Sequence, residues 1–293
     1  MPLPDGTTLE LGSRTLVMAI VNVTPDSFAD GGQCLDADSA IAHALKCVAD
    51  GADILDIGGE STRPGAPELG EEEEWRRIGP VLEGLRGRVG VPISVDTYKA
   101  AIAERAIALG ATVVNDISGL TYEPALAGVV ARTGAAIVLM HNRGKSSDMY
   151  ARALYGDVAS EVRSELAACD AAARAAGIPA DRILLDPGLG FAKRAEHTWA
   201  ALVGLPGLAA LERPILTGPS RKSFLKLAVG DLPPAERIWG TAAAVTASIL
   251  FGAHIVRVHD VAEMVQVSRA ADQVLEAGEN QETGSFKRPG LLP

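Results

Sequence analysis

A chain of 293 residues is long enough for one large domain or two ordinary ones, and length alone does not choose between them. Hydrophobic residues make up 47% and charged residues 22%, the composition of a soluble protein with a substantial core, which excludes disorder over most of the chain. The net charge of -10, from 27 Lys plus Arg against 37 Asp plus Glu, excludes a broad nucleic-acid surface, whose affinity needs clustered cations, but not a local cationic site for a small anion.

The three cysteines, Cys34, Cys47 and Cys169, form no CxxC pair. Neither a disulfide framework nor a Cys-rich zinc site is expected, and the setting reads as reducing and cytoplasmic. The first dozen residues lack a basic stretch followed by an apolar one, so no signal peptide is expected there. The most apolar long stretch, 241–256, is Ala-rich and contains Ser248, Gly252 and His254. It falls short of the ~20 residues needed to span a bilayer and reads instead as a core helix turning into a core strand. No membrane partner is expected.

Eight short apolar runs stand at 16–21, 54–57, 93–95, 112–115, 136–140, 183–186, 214–217 and 254–258, separated by longer segments of helical period. Continuous rather than alternating apolarity is what a parallel sheet covered on both faces requires. Between the runs, Asp38 is the expected cap of a helix that places Ile41, Leu45 and Val48 on one face, with Gly51 as its stop. The acidic run 71–74 favours the first turn of a helix reaching Arg86, where negative charge complements the macrodipole. Thr97 is the expected cap of the next helix and Gly110 its stop; Asp157 opens a longer one that Gly177 closes.

Strand–helix alternation eight times over about 250 residues is the pattern of a (β/α)8 TIM barrel. An open doubly wound sheet is the alternative, but no GxGxxG follows a strand. The expected organisation is a short N-terminal extension (1–13) covering the barrel bottom, a single α/β barrel domain (14–275) and a flexible tail (276–293). Such a barrel carries its function in the loops at the C-terminal ends of its strands.

Polar and charged residues gather at those ends: Asn22, 58–63, Asp96, Asn115, His141, Asp186, 218–222 and 257–259. Asp96, Asn115 and Asp186 lie on the third, fourth and sixth strands and can converge on one cavity. Two acids and an amide supply acceptors for a flat, amino-bearing heterocycle, an Asp facing an N–C–N edge accepting two hydrogen bonds. Lys222 can donate to a ring carbonyl or nitrogen; a catalytic Asp–Asp pair is the competing interpretation. Arg257 and His259, two apart on an extended strand, share a side and with Arg63 suggest a phosphate or pyrophosphate site. The plainer alternative is an Arg in an ion pair beside a hydrogen-bonded His. The first loop, 22–32, and the second, 58–67, are long, polar and bounded by Pro and Gly, as water-excluding lids are. His43 and His197 fall on helical faces expected to be solvated, His254 at the barrel bottom, and His141 is a candidate to line the site.

The segments 18–32 (MAIVNVTPDSFADGG) and 51–65 (GADILDIGGESTRPG) resemble the two signature segments of bacterial dihydropteroate synthases. The resemblance continues in order through SVDTYK, VNDISG, VLMH, LLDPGLGFAK, GPSRKSFL and VRVHDV, over nearly the whole barrel. It implies a transferase of folate biosynthesis that joins 6-hydroxymethyl-7,8-dihydropterin pyrophosphate to p-aminobenzoate and releases pyrophosphate. Matching positions imply that Asp96, Asn115, Asp186 and Lys222 hold the pterin, with Met140 and Phe191 as pocket walls and Gly218 and Val258 at the strand ends beside it. Thr62, Arg63, Arg257 and His259 are implied at the pyrophosphate and Asn22 at Mg2+. Thr24, Pro25, Phe28, Pro64 and Ser223 are implied at p-aminobenzoate. The loop residues Asp26, Ser27, Phe28 and Arg63 are given a part in catalysis, with no general base assigned. A homodimer is implied as well, and in this family sulfonamides compete in the p-aminobenzoate pocket. Rival readings are a methyltetrahydrofolate:corrinoid methyltransferase on the same barrel and a pterin-binding paralogue without synthase activity. The intact TPDSF, STRP and SRK segments (24–28, 61–64 and 220–222) argue for the synthase.

Overall fold

The structure is a computed structural model that describes residues 1–24, 33–63 and 65–279. Strands β1 (Leu16–Asn22), β2 (Ile54–Gly58), β3 (Ile93–Asp96), β4 (Val113–Asp116), β5 (Ala136–Met140), β6 (Ile183–Asp186), β7 (Leu216–Thr217) and β8 (Ile255–Val258) follow the expected runs closely. Between and after them lie α1 (Gln33–Ala49), α2 (Glu71–Leu85), α3 (Ala100–Ala108), α4 (Ala125–Thr133), α5 (Val158–Ala175), α6 (Ala195–Val203), α7 (Lys226–Val229), α8 (Ile238–Leu250) and α9 (Val261–Glu279). All pairings are parallel and the order is β6-β5-β4-β3-β2-β1-β8-β7. The expected (β/α)8 barrel is thus present. Its closing joint, β6 to β7, is thin: one parallel bridge between Leu185 and Ile215, where the Leu185 N–H donates to the Pro214 carbonyl at 2.9 Å.

Two apolar clusters hold this sheet. The outer one lies between strands and helices and includes Val17, Ala19, Leu55, Ile57, Val95, Ile137, Leu185 and Val256. The inner one is the barrel floor: Leu16, Met18, Ile54, Val113, Ala136, Val138, Leu184, Leu216 and Ile255. Successive strand residues face opposite sides, so these floor residues fix which positions look inward. Counting on in steps of two gives Ile20 and then Asn22 on β1, and Asp56, Asn115, Met140, Asp186, Gly218 and Arg257 on the others. Leu3 and Leu9 are buried in the floor cluster, so the N-terminal segment covers the bottom as expected, its turn tied by a Pro2–Thr8 bridge. His254 is buried there too, its Nδ1 accepting from the Ile215 N–H at 3.1 Å.

Helix punctuation follows the sequence in part. Asp157 caps α5, accepting from the Ser160 N–H at 3.3 Å. Gly51, Gly110 and Gly177 follow their helices with φ of 102°, 107° and 94°, left-handed values that only glycine adopts without strain. Asp38, by contrast, lies inside α1, which already begins at Gln33. Thr97 does not cap α3; its hydroxyl accepts from the Lys99 N–H, and the free Ala100 N–H is taken by Glu123 at 3.0 Å. The acidic run opens α2 as expected, yet Glu74 is buried against Lys99 rather than solvated. Helix α9 continues to Glu279, past the expected end of the barrel, and 280–293 lie outside the described residues. Among the described residues no helix is long and apolar enough to cross a membrane.

Candidate active site

The barrel interior changes from hydrocarbon to charge within one step of two residues. Above Ile54 stands Asp56, fully buried; above Val113 stands Asn115; above Ile255 stands Arg257. The Arg257 guanidinium donates through Nε to Asp56 Oδ2 at 2.6 Å and through Nη2 to Asp96 Oδ2 at 2.7 Å. Asn115 Nδ2 donates to the same Asp56 oxygen at 2.9 Å, which leaves the amide carbonyl as an acceptor. Asp56 Oδ1 has no hydrogen-bond partner among the described residues. Gly58 leaves room for Asp96, since a β-carbon there would stand 3.2 Å from that of Asp96.

Across the mouth, Asp186 ends β6 and accepts from the Gly188 N–H at 2.7 Å. Lys222, beyond β7, donates to the Leu189 carbonyl at 2.5 Å and lies over the Phe191 ring, 4.4 Å from its centre. Such a contact tethers the ammonium by cation–π attraction. Gly218 sits between the two cations: a methyl there would be 3.7 Å from Arg257 Cβ and 3.8 Å from Lys222 Nζ. Met140 is buried on the inward side of β5.

Charge in this enclosure follows burial first. Burial raises Asp186 above the ordinary carboxylate range, against the pull of Lys222. Burial likewise raises Asp96; Arg257 draws it back and the neighbouring Asp56 carboxylate adds to the rise. Burial depresses Lys222 to about 8, against Asp186. Arg257 keeps its charge because Asp56 and Asp96 outweigh the penalty of burial. The mouth thus presents carboxylates poised to accept, one amide oxygen and two cations, the complement of a flat ring with amino and carbonyl edges.

The expected anion set is divided differently. Arg257 stands in the acid cluster, because the inward step above Ile255 aims it at Asp56 and Asp96. His259 pairs with Ser220, whose Oγ stands 3.0 Å from Nδ1 and also accepts from the His259 N–H. Burial, then Arg221 and Arg257, lower it to about 3, so it is a neutral ring rather than a cation. Arg63 is exposed and forms no ion pair among the described residues. Thr62 is half-buried beside it. Val258 faces away from the mouth into the outer core and leaves no side chain to the site. Pro25, Asp26, Ser27, Phe28 and Pro64 lie outside the described residues. Asn22 ends β1 on the inward side, paired with Gly58. Ser223 is exposed and lines a cavity of about 490 Å³ with Tyr150, Gly190, Lys193, Arg194, Ala195 and Phe224, against the outer flank of the β6 loop.

Sequence reasoning passed over Asp56 and Lys193. The signal for Asp56 was a charge inside the run ILDI with the parity of the floor. His197 is not on a solvated face: it is half-buried, its ring 5.1 Å from that of Tyr155. The segment after β5, whose role the sequence left open, braces the second loop. Ser146 accepts from the Gly65 N–H at 2.9 Å, and Lys145 pairs with Glu68 at 2.8 Å. From below, Glu60 of that loop takes the Lys99 ammonium at 2.5 Å and the Tyr98 hydroxyl at 3.2 Å.

Residues 18–259 match the pterin-binding enzyme family. Over 272 residues the chain is 47% identical to the dihydropteroate synthase of Synechocystis, covering 92% of this chain and 94% of that one. It is 44% identical to that of Bacillus subtilis over 92% of each. Among solved structures it resembles the Clostridium difficile enzyme crystallised with pteroic acid (40% identity, 91% and 99% of the two chains, TM-score 0.86). It also resembles the Yersinia pestis enzyme in complex with a sulfonamide drug (41% identity, 92% and 98%, TM-score 0.87).

Proposed function

The chain belongs to the dihydropteroate synthase family of pterin-binding enzymes, and from that membership we propose how its barrel mouth joins 6-hydroxymethyl-7,8-dihydropterin pyrophosphate to p-aminobenzoate. The observation that carries the reading is the convergence of Asp56, Asp96, Asn115 and Asp186 with Arg257 and Lys222 on one buried mouth. Asp186 and Asp96 accept from the amino and ring N–H groups of the pterin, Lys222 donates to its carbonyl or ring nitrogen, and Phe191 and Met140 wall its faces. Each charge-assisted bond contributes roughly 1.5–3 kcal/mol.

In the reaction the carbon–oxygen bond between the pterin methylene and the pyrophosphate breaks, and the aryl amine forms a carbon–nitrogen bond at that carbon. The electron pair leaves with the pyrophosphate and the amine proton passes to solvent. Carboxylates beside the pterin favour the cationic character that develops on it, while Arg63 and the His259 ring donate to the departing anion. Arg257, held by two acids, orders the pterin floor and lies where the leaving group passes. Loops 22–32 and 58–67 would keep water from capturing the electrophile.

Mg2+ fits this site in one way. Among the described residues no three His, Cys, Asp or Glu side chains are grouped to hold a metal, so those residues offer no closed cage. A single amide oxygen on Asn22 suits an ion that keeps most of its waters and phosphate oxygens; when bound, it neutralises charge on the leaving pyrophosphate. A homodimer is also part of this reading, supported by the exposed Leu227 and Trp239 on α7 and α8 (62% and 80% exposed). The test mixes purified protein with Mg2+, the pterin pyrophosphate and p-aminobenzoate and seeks dihydropteroate by mass spectrometry. Product that vanishes on chelation of Mg2+ is expected. Pterin binding without product would point instead to a non-catalytic paralogue.

A further inference from the structure

Lys193 follows the β6 loop and is 1% exposed, yet among the described residues no carboxylate pairs with it. Burial lowers its pKa to about 7; in its ammonium form it has three N–H donors to satisfy, and three acceptors are present. His141 Nδ1 stands 2.7 Å from Nζ, the Phe191 carbonyl 3.1 Å and the Gly188 carbonyl 3.2 Å. Because Nδ1 accepts, the His141 ring carries its proton on Nε2, which donates to Glu165 at 3.0 Å. Burial keeps His141 neutral. The His141 hydrogen bond, with Arg143, holds Glu165 down to about 2 and therefore ionised. Arg143 itself stacks on Tyr155 at 4.0 Å. The chain Arg143–Glu165–His141–Lys193 thus runs from the β5 loop and α5 to the back of the β6 loop.

What that loop presents on its other side is the pterin wall. Three groups within four residues are the Gly188 N–H that orients Asp186, the Leu189 carbonyl that holds Lys222, and the Phe191 ring beneath Lys222. The loop is pressed close: Gly188 has φ +66°, and a β-carbon on it would stand 2.0 Å from the His141 carbonyl. Two of the Lys193 bonds go to the Gly188 and Phe191 carbonyls, while the Leu189 carbonyl between them accepts from Lys222. We propose that Lys193 is a positioning residue: seated by His141 and Glu165, it pins residues 187–191 in the shape that lets Asp186, Phe191 and Lys222 grip the pterin, without itself touching substrate. The proposal rests on the pterin reading of the mouth.

Lys193→Met keeps the length of the side chain and removes the donors. The expected result is a rise of roughly tenfold or more in the calorimetric Kd for the free pterin alcohol, with a matching rise in KM for the pterin pyrophosphate and a much smaller change in kcat. Hydrogen exchange at the Gly188 and Phe191 amides should accelerate in the ligand-free chain while the amides of β1 to β4 hold. Glu165→Gln should shift Kd in the same direction by less. Wild-type pterin affinity and wild-type loop exchange in Lys193→Met would overturn the proposal. So would exchange accelerated evenly around the barrel with Glu165→Gln silent, which marks a residue that merely supports the fold. If the wild-type chain binds no pterin, the functional reading fails instead, and the exchange comparison still decides whether Lys193 pins the loop.

Discussion

The floor and the mouth of this barrel are built by the same strands, on the same inward face, one pleat apart. Leu184 and Asp186 are neighbours on β6, Ile54 and Asp56 on β2, Ile255 and Arg257 on β8, yet the lower member of each pair packs in hydrocarbon and the upper in a network of ions. Below, exclusion of water is the stabilising force and every contact is interchangeable to first order. Above, the same exclusion is a penalty that raises Asp96 and Asp186 and lowers Lys222. Only specific partners offset it. The scaffold therefore dries the mouth, and the dryness gives its charges their strength toward a ligand.

The sharpest way to break this contrast is Arg257→Ala. It leaves Asp56 and Asp96 without their shared counter-ion, and urea unfolding should register a loss of about 3–5 kcal/mol. Calorimetry should show weaker binding of both the pterin pyrophosphate and the free pterin alcohol; sparing of the alcohol would return Arg257 to a purely phosphate-binding role. On the floor, Leu184→Ala should cost about 2–5 kcal/mol of stability through the cavity it opens. Pterin affinity should stay unchanged in that variant, and a parallel loss would mean that floor and mouth are not separable. Two residues higher, Asp186→Asn should do the reverse. Pterin binding should weaken by about 1.5–3 kcal/mol as an ionised acceptor is lost, while thermal stability holds or rises, since burial no longer works against a charge.

A pH measurement refines the picture. Lys222 titrates near 8 in the folded chain and near 10.5 unfolded. Between those values the unfolded state binds more protons, so this lysine makes stability rise with pH across that window. Lys222→Met should flatten the rise by up to about 3 kcal/mol, read from unfolding midpoints on either side of the window. Pterin affinity of the wild type should fall over the same window as the donor loses its proton. The smallest effect belongs to the exposed Lys145–Glu68 pair (47% and 50% exposed): Lys145→Ala should change stability by under about 1 kcal/mol. Any larger change in KM would come through the second loop that the pair braces.

The barrel was legible because continuous apolar runs and helical periods are local properties, and the strand-end polar residues marked the mouth. Asp96, Asn115, Asp186 and Lys222 were found by that rule alone. Asp56 escaped because it sits inside its run; only its parity with Ile54 marks it as inward, and parity requires knowing which residues are floor. For Arg257, spacing shows which side the residue faces but not which acids face it from strands 161 and 201 residues away in sequence. Lys193 reads as an ordinary loop lysine until its three acceptors are placed around it. The Thr97 cap failed for a nearer reason: the Ala100 N–H at the start of α3 is met by Glu123 from the loop after β4, a partner that local sequence does not announce.

The joint between β6 and β7 carries one further implication. A closed ring of strands yields first at its weakest stitch, and among the described residues the Leu185–Ile215 bridge is the least reinforced of the inter-strand seams. Asp186 leads off one lip of that seam and the path to Lys222 leads off the other. On the proposed reading, a pterin held by both would be a clasp fastened across it, so its binding should tighten the whole hoop.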